Sequence, residues 1–255
     1  MSTGPVVSSA GTARAPLTIE RIVTTAIDLA DRGGVDDLSM RRLADELGFK
    51  VMSLYNHVAN KDELLELMVD RILGAVEFVD TGEGVIEDDD GAAANDADSA
   101  SETDSASETG TADWRTAIIH LAVAEHRVIL AHPWVASVMN TVFPRTGRWR
   151  LAEELLRLLT LGGFTGHLRD LGYHAITLHV GGFTQQQIGY QFTPEREAEM
   201  YARFHRDVTE DVYPLMVDHV RYHEVMDTIP GERPDEFRFV LDLILEGLER
   251  RRDDS

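Results

Sequence analysis

The chain contains no cysteine. That excludes disulfides, thiolate metal sites and cysteine nucleophiles, and it fits a reducing compartment. Long hydrophobic runs are missing too. The longest, residues 128–139, is broken by His132 and Pro133 and is too short to span a bilayer. The opening MSTGPVVSSAGTARAP lacks the basic-then-apolar order of a signal peptide. These absences point to a cytoplasmic protein with no membrane partner. Nowhere do polar and apolar residues alternate as in a strand, so the expected fold class is all-α. Lysine is almost absent: of 24 basic residues, only Lys50 and Lys61 are lysines.

Acid is what the chain has in excess, with a formal net charge of −21. Its distribution matters more than its sum, because nucleic-acid affinity rests on where the cations lie. More than half of the excess falls in residues 80–113, which hold 12 acidic and no basic side chains. This segment is rich in Ser, Ala, Asp and Glu and carries no helical apolar stripe. It is expected to be a disordered acidic linker, between a helix-turn-helix domain at 17–79 and a helical domain at 114–255. Residues 1–16 are expected to form a disordered tail.

Both lysines lie in one segment, LSMRRLADELGFKVMSLYNHVANKDELL at residues 38–65, where they bracket the second helix of a helix-turn-helix pattern. A helix at 19–32, with Ile22, Val23, Ala26 and Ile27 on one face, leads into it. Thr18 can cap that helix and Gly33-Gly34 can end it. Ser39 starts a second helix that stops before Gly48, and a third covers roughly residues 51–58. Asn60 caps a fourth, with Glu63 in capping-box position. Two short helices joined through a glycine turn are the pattern that sets a second helix in a DNA major groove.

Leu43, Ala44, Leu47, Gly48, Leu54, Tyr55, His57, Val58, Lys61 and Leu64-Leu65 stand in an order and spacing that resembles the tetracycline-repressor (TetR) family of bacterial transcription regulators. The resemblance is specific over residues 17–70. It extends more loosely through HRVILAHPW, EELLRLLTLGGF and FRFVLDLILEGLE, which look like the tetracycline-repressor-type C-terminal domain. The acidic insert at 80–113 departs from the pattern. The resemblance implies a larger helical domain for ligand binding and dimerisation, and a homodimer on a near-palindromic double-stranded DNA operator. It implies that Val51, Met52, Ser53 and Asn56 face base edges, that Tyr55, His57 and Lys61 hold phosphates, and that Arg41 reaches DNA. Lys50 replaces the small capping residue often found at that place. Residue chemistry agrees in part: Asn suits adenine and Arg suits guanine, whereas Val and Met can only make apolar contacts such as with a thymine methyl. Two adjacent arginines diverge by about 100° on a helix, so at most one of Arg41 and Arg42 touches DNA.

Beyond residue 113 helical periodicity resumes in segments at 114–131, 148–161, 167–191, 194–213, 215–228 and 236–251. The 167–191 segment mixes His174, Thr177, His179, Thr184 and Gln187 with apolar residues. That mixture suits either the wall of a small-molecule pocket or a dimer seam, the latter with the 236–251 helix in a four-helix bundle. Trp134, Met139, Phe143, Phe164, His174 and Gln187 are the candidate contacts for a small-molecule effector, expected to be apolar or amphipathic. His219 and His223 sit four apart beside Glu224, but Asp227 stands where a second HExxH histidine would be, so no metal is expected. No cofactor is expected either. The favoured reading is a repressor released from DNA by its effector, and not an enzyme. An activator, a ligand-independent regulator, and an all-α enzyme or ligand-binding protein with an incidental helix-turn-helix remain open at this point.

Overall fold

Three of the first four helices begin at a side chain that accepts a backbone proton. Thr18 accepts from the Arg21 amide (3.3 Å), Ser39 from Arg42 (3.2 Å) and Asn60 from Glu63 (2.8 Å). These caps open α1 (Ile19–Gly33), α2 (Met40–Leu47) and α4 (Lys61–Gly74). The Glu63 carboxylate in turn accepts from the Ala59 amide (2.6 Å), so the start of α4 is tied twice. Gly48 ends α2 at φ 69°, where a Cβ would be strained. Its amide and that of Phe49 turn back on the last carbonyls of the helix, which aims the chain into α3 (Val51–Tyr55).

The third helix is shorter than its sequence suggests. The His57 and Val58 amides both return to the Leu54 carbonyl (2.9 and 3.0 Å). The chain must then extend at Asn60, φ −160°, to cap α4, so the helix cannot run on to Val58. Ile22, Ala26, Leu43, Leu54, Leu64 and Met68 are fully covered where α1 to α4 meet.

The computed structural model describes residues 16–79, 81, 113–190, 193–227 and 235–253. No strand occurs among them. The expected tail at 1–16 and the acidic stretch at 80–113 lie outside the described residues, save Pro16, Thr81 and Asp113. Thr81 is buried and accepts from Arg157 Nη2 (3.0 Å), so the chain stays tied to the body past residue 79. Asp113 caps the next helix, accepting from the Arg115 amide.

The C-terminal body comprises α5 (Trp114–Ala131), α6 (Trp134–Val138), α7 (Thr146–Leu161), α8 (Gly166–Gly189), α9 (Pro194–Asp207), α10 (Pro214–Asp227) and α11 (Glu236–Asp253). Helices α5, α7, α8 and α11 pack together, and α7 also packs along α4. The continuous helix expected at 194–213 instead breaks after Asp207. Val208 is extended and Pro214 disfavours helix in the residue before it. Arg115 clamps α5 to α11 through Glu249 (2.6 Å) and Asp242 (3.3 Å).

Phe237 of α11 is sandwiched by two imidazoles, His126 of α5 at 4.2 Å and His179 of α8 at 4.7 Å between ring centroids. His126 Nδ1 pairs with the Thr184 hydroxyl (2.7 Å) and His179 Nε2 with the Phe237 carbonyl (2.9 Å). Burial lowers the pKa of both.

The α4–α7 crossing is closer still. Gly147 is buried and its amide donates to the Asp70 carboxylate (2.5 Å). A Cβ at this position would overlap the Asp70 carbonyl oxygen and stand 2.9 Å from the Gly74 nitrogen. Arg145 adds ion pairs to Glu66 (2.9 Å) and Glu63 (3.5 Å), and Arg150 donates to the Gly74 carbonyl (3.2 Å).

Two outcomes are expected. Gly147→Val forces α7 off α4 and costs about 1–3 kcal/mol, seen as a melting temperature several degrees lower by circular dichroism. The second concerns pH. A histidine whose folded pKa is depressed binds its proton first in the unfolded chain, so its stabilising contribution is lost as pH falls below the ordinary histidine value. The stability of the wild type should therefore drop relative to His179→Gln between neutral pH and about pH 5. Parallel melting curves across that window would refute the burial of His179 as a neutral ring.

Candidate nucleic-acid interface and ligand cavity

Leu54 is the single fully covered residue of α3, and it fixes which way the helix faces. The side opposite presents Met52, 72% exposed, and Tyr55, 43% exposed, flanked by partly covered Val51. Asn56 and His57 are exposed just beyond the helix, and Ser53 is partly covered. Lys50 is exposed and gives α3 no side-chain cap. Lys61 Nζ donates to the Val35 carbonyl (3.3 Å), which ties it to the α1–α2 connection and leaves it further protons. Of the adjacent arginines, Arg42 pairs with Asp37 (3.4 Å), whereas Arg41 is exposed. Glu46, an acid on the same helix, is held by Arg32 (2.8 Å). Arg41 and Lys50 are thus exposed and Lys61 keeps protons to give, in the unit whose α3 presents apolar, hydroxyl and amide groups.

Behind this unit, α4, α5, α7 and α8 enclose a cavity of about 460 Å³. Its apolar wall includes Leu73, Ile118, Leu121, Leu151, Leu155 and Ile176. Its polar groups include Glu125, Asn140, Arg148, Tyr173, His174 and Gln185. Burial pushes the Glu125 carboxyl up to about 7, opposed by the nearby positive charge of Arg148.

Of the six residues expected at a ligand, Met139 and His174 line this cavity and four do not. Trp134 is buried, and its indole N–H donates to Asp31 of α1 (2.7 Å). The same carboxylate pairs with His132 (2.9 Å), so this tryptophan links α6 to the N-terminal unit. Phe164 is wholly covered and packs edge-to-face on Trp114 at 5.1 Å, a core contact. Phe143 stands 80% exposed between α6 and α7, and Gln187 is exposed near His126. The mixed polarity of α8 resolves by face. His174 and Thr177 meet the cavity, while His179 and Thr184 meet the α5–α11 core. Sequence reasoning passed over Glu125 and Arg148. The signal for Glu125 was available: it is the sole acid in the apolar run of α5.

Comparison with known proteins sets these features in a family. Residues 22–68 match "Bacterial regulatory proteins, tetR family", and residues 106–252 match "Tetracyclin repressor-like, C-terminal domain". The chain is 30% identical to the HTH-type transcriptional repressor DrrR1 of Streptomyces coeruleorubidus, over 91% of this chain and 77% of that protein. It is 26% identical to the class C tetracycline repressor of Escherichia coli, over 91% of each. Among solved structures it resembles the Streptomyces coelicolor TetR family protein ActR in complex with actinorhodin, with TM-score 0.67 and 27% identity, covering 93% of this chain and 99% of that one. With both the helix-turn-helix and more than half of its length matched, the chain belongs to the tetracycline-repressor family of bacterial transcription regulators.

Proposed function

We propose that this protein is a homodimeric transcriptional repressor that a small molecule releases from its operator. One observation carries the reading: α4 is shared between the two candidate sites. Its first residue, Lys61, follows α3 by six residues and donates to the Val35 carbonyl of the DNA-binding unit, and Leu73, near its end, forms part of the cavity wall. An occupant pressing on Leu73 moves the helix that positions Lys61. A ligand acts through its different affinity for the two arrangements, and a close-packed crossing transmits that preference because it resists continuous deformation.

In this reading Val51, Met52, Ser53 and Asn56 meet base edges, and Tyr55, His57, Lys50 and Lys61 meet phosphates. The positive end of α4 at Lys61 adds to phosphate attraction. Arg41 is the arginine left to reach DNA, since Arg42 is engaged by Asp37. The recognition helices of two protomers would enter major grooves about 34–36 Å apart, or somewhat more. Support for a dimer comes from α8 and α11. Leu171 and Leu178 on the first, and Phe239 and Leu243 on the second, remain between 49% and 74% exposed. Such a face fits burial against its own copy in a four-helix bundle. The function is regulation rather than catalysis, and the protein works in the cytoplasm. Among the described residues no helix is long and apolar enough to cross a membrane.

Fluorescence anisotropy on DNA flanking the protein's own gene, against scrambled DNA and over a salt series, tests the reading. Tight, salt-sensitive binding at one palindromic site is expected. Equal binding to scrambled DNA at every flanking site would sink it. Asn56→Ala should cost about 1–3 kcal/mol at particular base pairs, whereas Lys61→Ala should weaken binding to all sequences and flatten the salt slope by about 1. The double substitution Leu178→Asp with Phe239→Asp should yield a folded monomer by sedimentation velocity that no longer holds the operator. A dimer that persists would place the subunit contact elsewhere.

A further inference from the structure

Glu125 projects from α5 toward α7 and α8 and is the one acid among the residues that line the cavity. Its carboxyl opens between apolar walls at Ile118, Leu121, Leu155 and Ile176. Among the described residues no donor reaches it, and no ion pair neutralises it. Arg148, the one cation whose charge it feels, gives its Nη1 to the Met139 carbonyl instead. The residue as a whole is only partly covered, because its outer end faces the empty space rather than packed neighbours.

A carboxyl in such surroundings is costly to keep. A group taken from water without a compensating partner destabilises the fold, and buried acids are ordinarily paired. An alanine or leucine here would close the wall at no such cost. The other titratable or charged side chains facing the space are Arg148 on α7 and Tyr173 and His174 on α8. None of them is an acid, so Glu125 is the one carboxylate an incoming cation would meet, across from the like charge of Arg148.

We propose that the effector of this cavity is a largely apolar molecule carrying one basic nitrogen, whose ammonium group pairs with the Glu125 carboxylate. The proposal rests on the ligand-responsive reading above and specifies its ligand class. The volume suits a molecule of drug-like size. The ammonium supplies the donor that the protein lacks, in an environment where a charge-assisted hydrogen bond is strong. Because burial holds the empty site's carboxyl up to about 7, pairing at neutral pH drives its remaining proton into solution. The ligand nitrogen keeps its own proton, so a fraction of one proton is released for each ligand bound.

The test is calorimetric titration of the full chain with naphthylethylamine, naphthylethanol and naphthylacetic acid, near neutral pH in two buffers of different ionisation enthalpy. Wild type and Glu125→Gln are compared. The amine should bind wild type about tenfold or more tightly than the alcohol and release protons, and Glu125→Gln should lose both effects while keeping its alcohol affinity. If Glu125→Gln no longer binds the alcohol, its cavity is damaged, and preference with proton release in wild type decides. Equal binding of amine and alcohol, tighter binding of the acid, or a preference that survives in an intact Glu125→Gln would overturn the ammonium assignment but leave the cavity a ligand site. Failure of all three probes to bind wild type would overturn the cavity reading and the proposal with it.

Discussion

The close backbone approach of Gly147 to Asp70 and Gly74 fixes where α7 crosses α4, and the molecule is arranged around that crossing. A side chain at 147 would force the helices apart, so neither can shift without the other. The Asp70 carboxylate and the Gly147 amide make the contact polar as well as tight. Arg145 and Arg150 extend it along α4, on Glu63, Glu66 and the last carbonyl of the helix. Helix α4 is therefore held by the body on one side and packed against α1 on the other. Asp31 provides a second strut, accepting from Trp134 while paired with His132. With two struts, rotation of the small unit against the body must break one set of polar contacts or carry both along.

Much of this was legible in the chain itself, because local chemistry and tertiary packing agree through the first four helices. Thr18, Ser39 and Asn60 are good caps in isolation and act as caps in the fold. Gly48 is a good terminator, and it adopts the left-handed geometry that a terminator needs. The all-α class followed from periodicity alone. The third helix was misjudged in length because no residue near Tyr55 is a helix breaker. What ends it is the need to reach the extended geometry at Asn60. The break after Asp207 comes where Val208 turns extended, and Pro214 opens the next helix.

The cavity was less legible, for a different reason. Its residues come from four helices, and sequence shows only which residues are large, apolar or polar, not where their side chains point. Trp134 and Phe164 are among the expected contacts, yet one is committed to Asp31 and the other to Trp114. The informative residue was a small contradiction rather than a large side chain. Glu125 lies in a run that otherwise reads as core, and the fold leaves it unpaired and only partly covered at the cavity. Within α8 the mixed composition divides between the cavity, met by His174 and Thr177, and the α5–α11 core, met by His179 and Thr184, because a helix of 24 residues has room for several faces.

Leu178 has a consequence of its own. It is 74% exposed on the side of α8 suited to a second copy, and it also lines the cavity. A subunit packed against it would also border the cavity. Where that subunit adds contacts to the ligand, ligand binding and subunit association share a free energy, and each strengthens the other by the same factor. Apparent effector affinity would rise with the amount of protein in the cell. Sensitivity to the small molecule becomes, in part, a matter of how much repressor has been made.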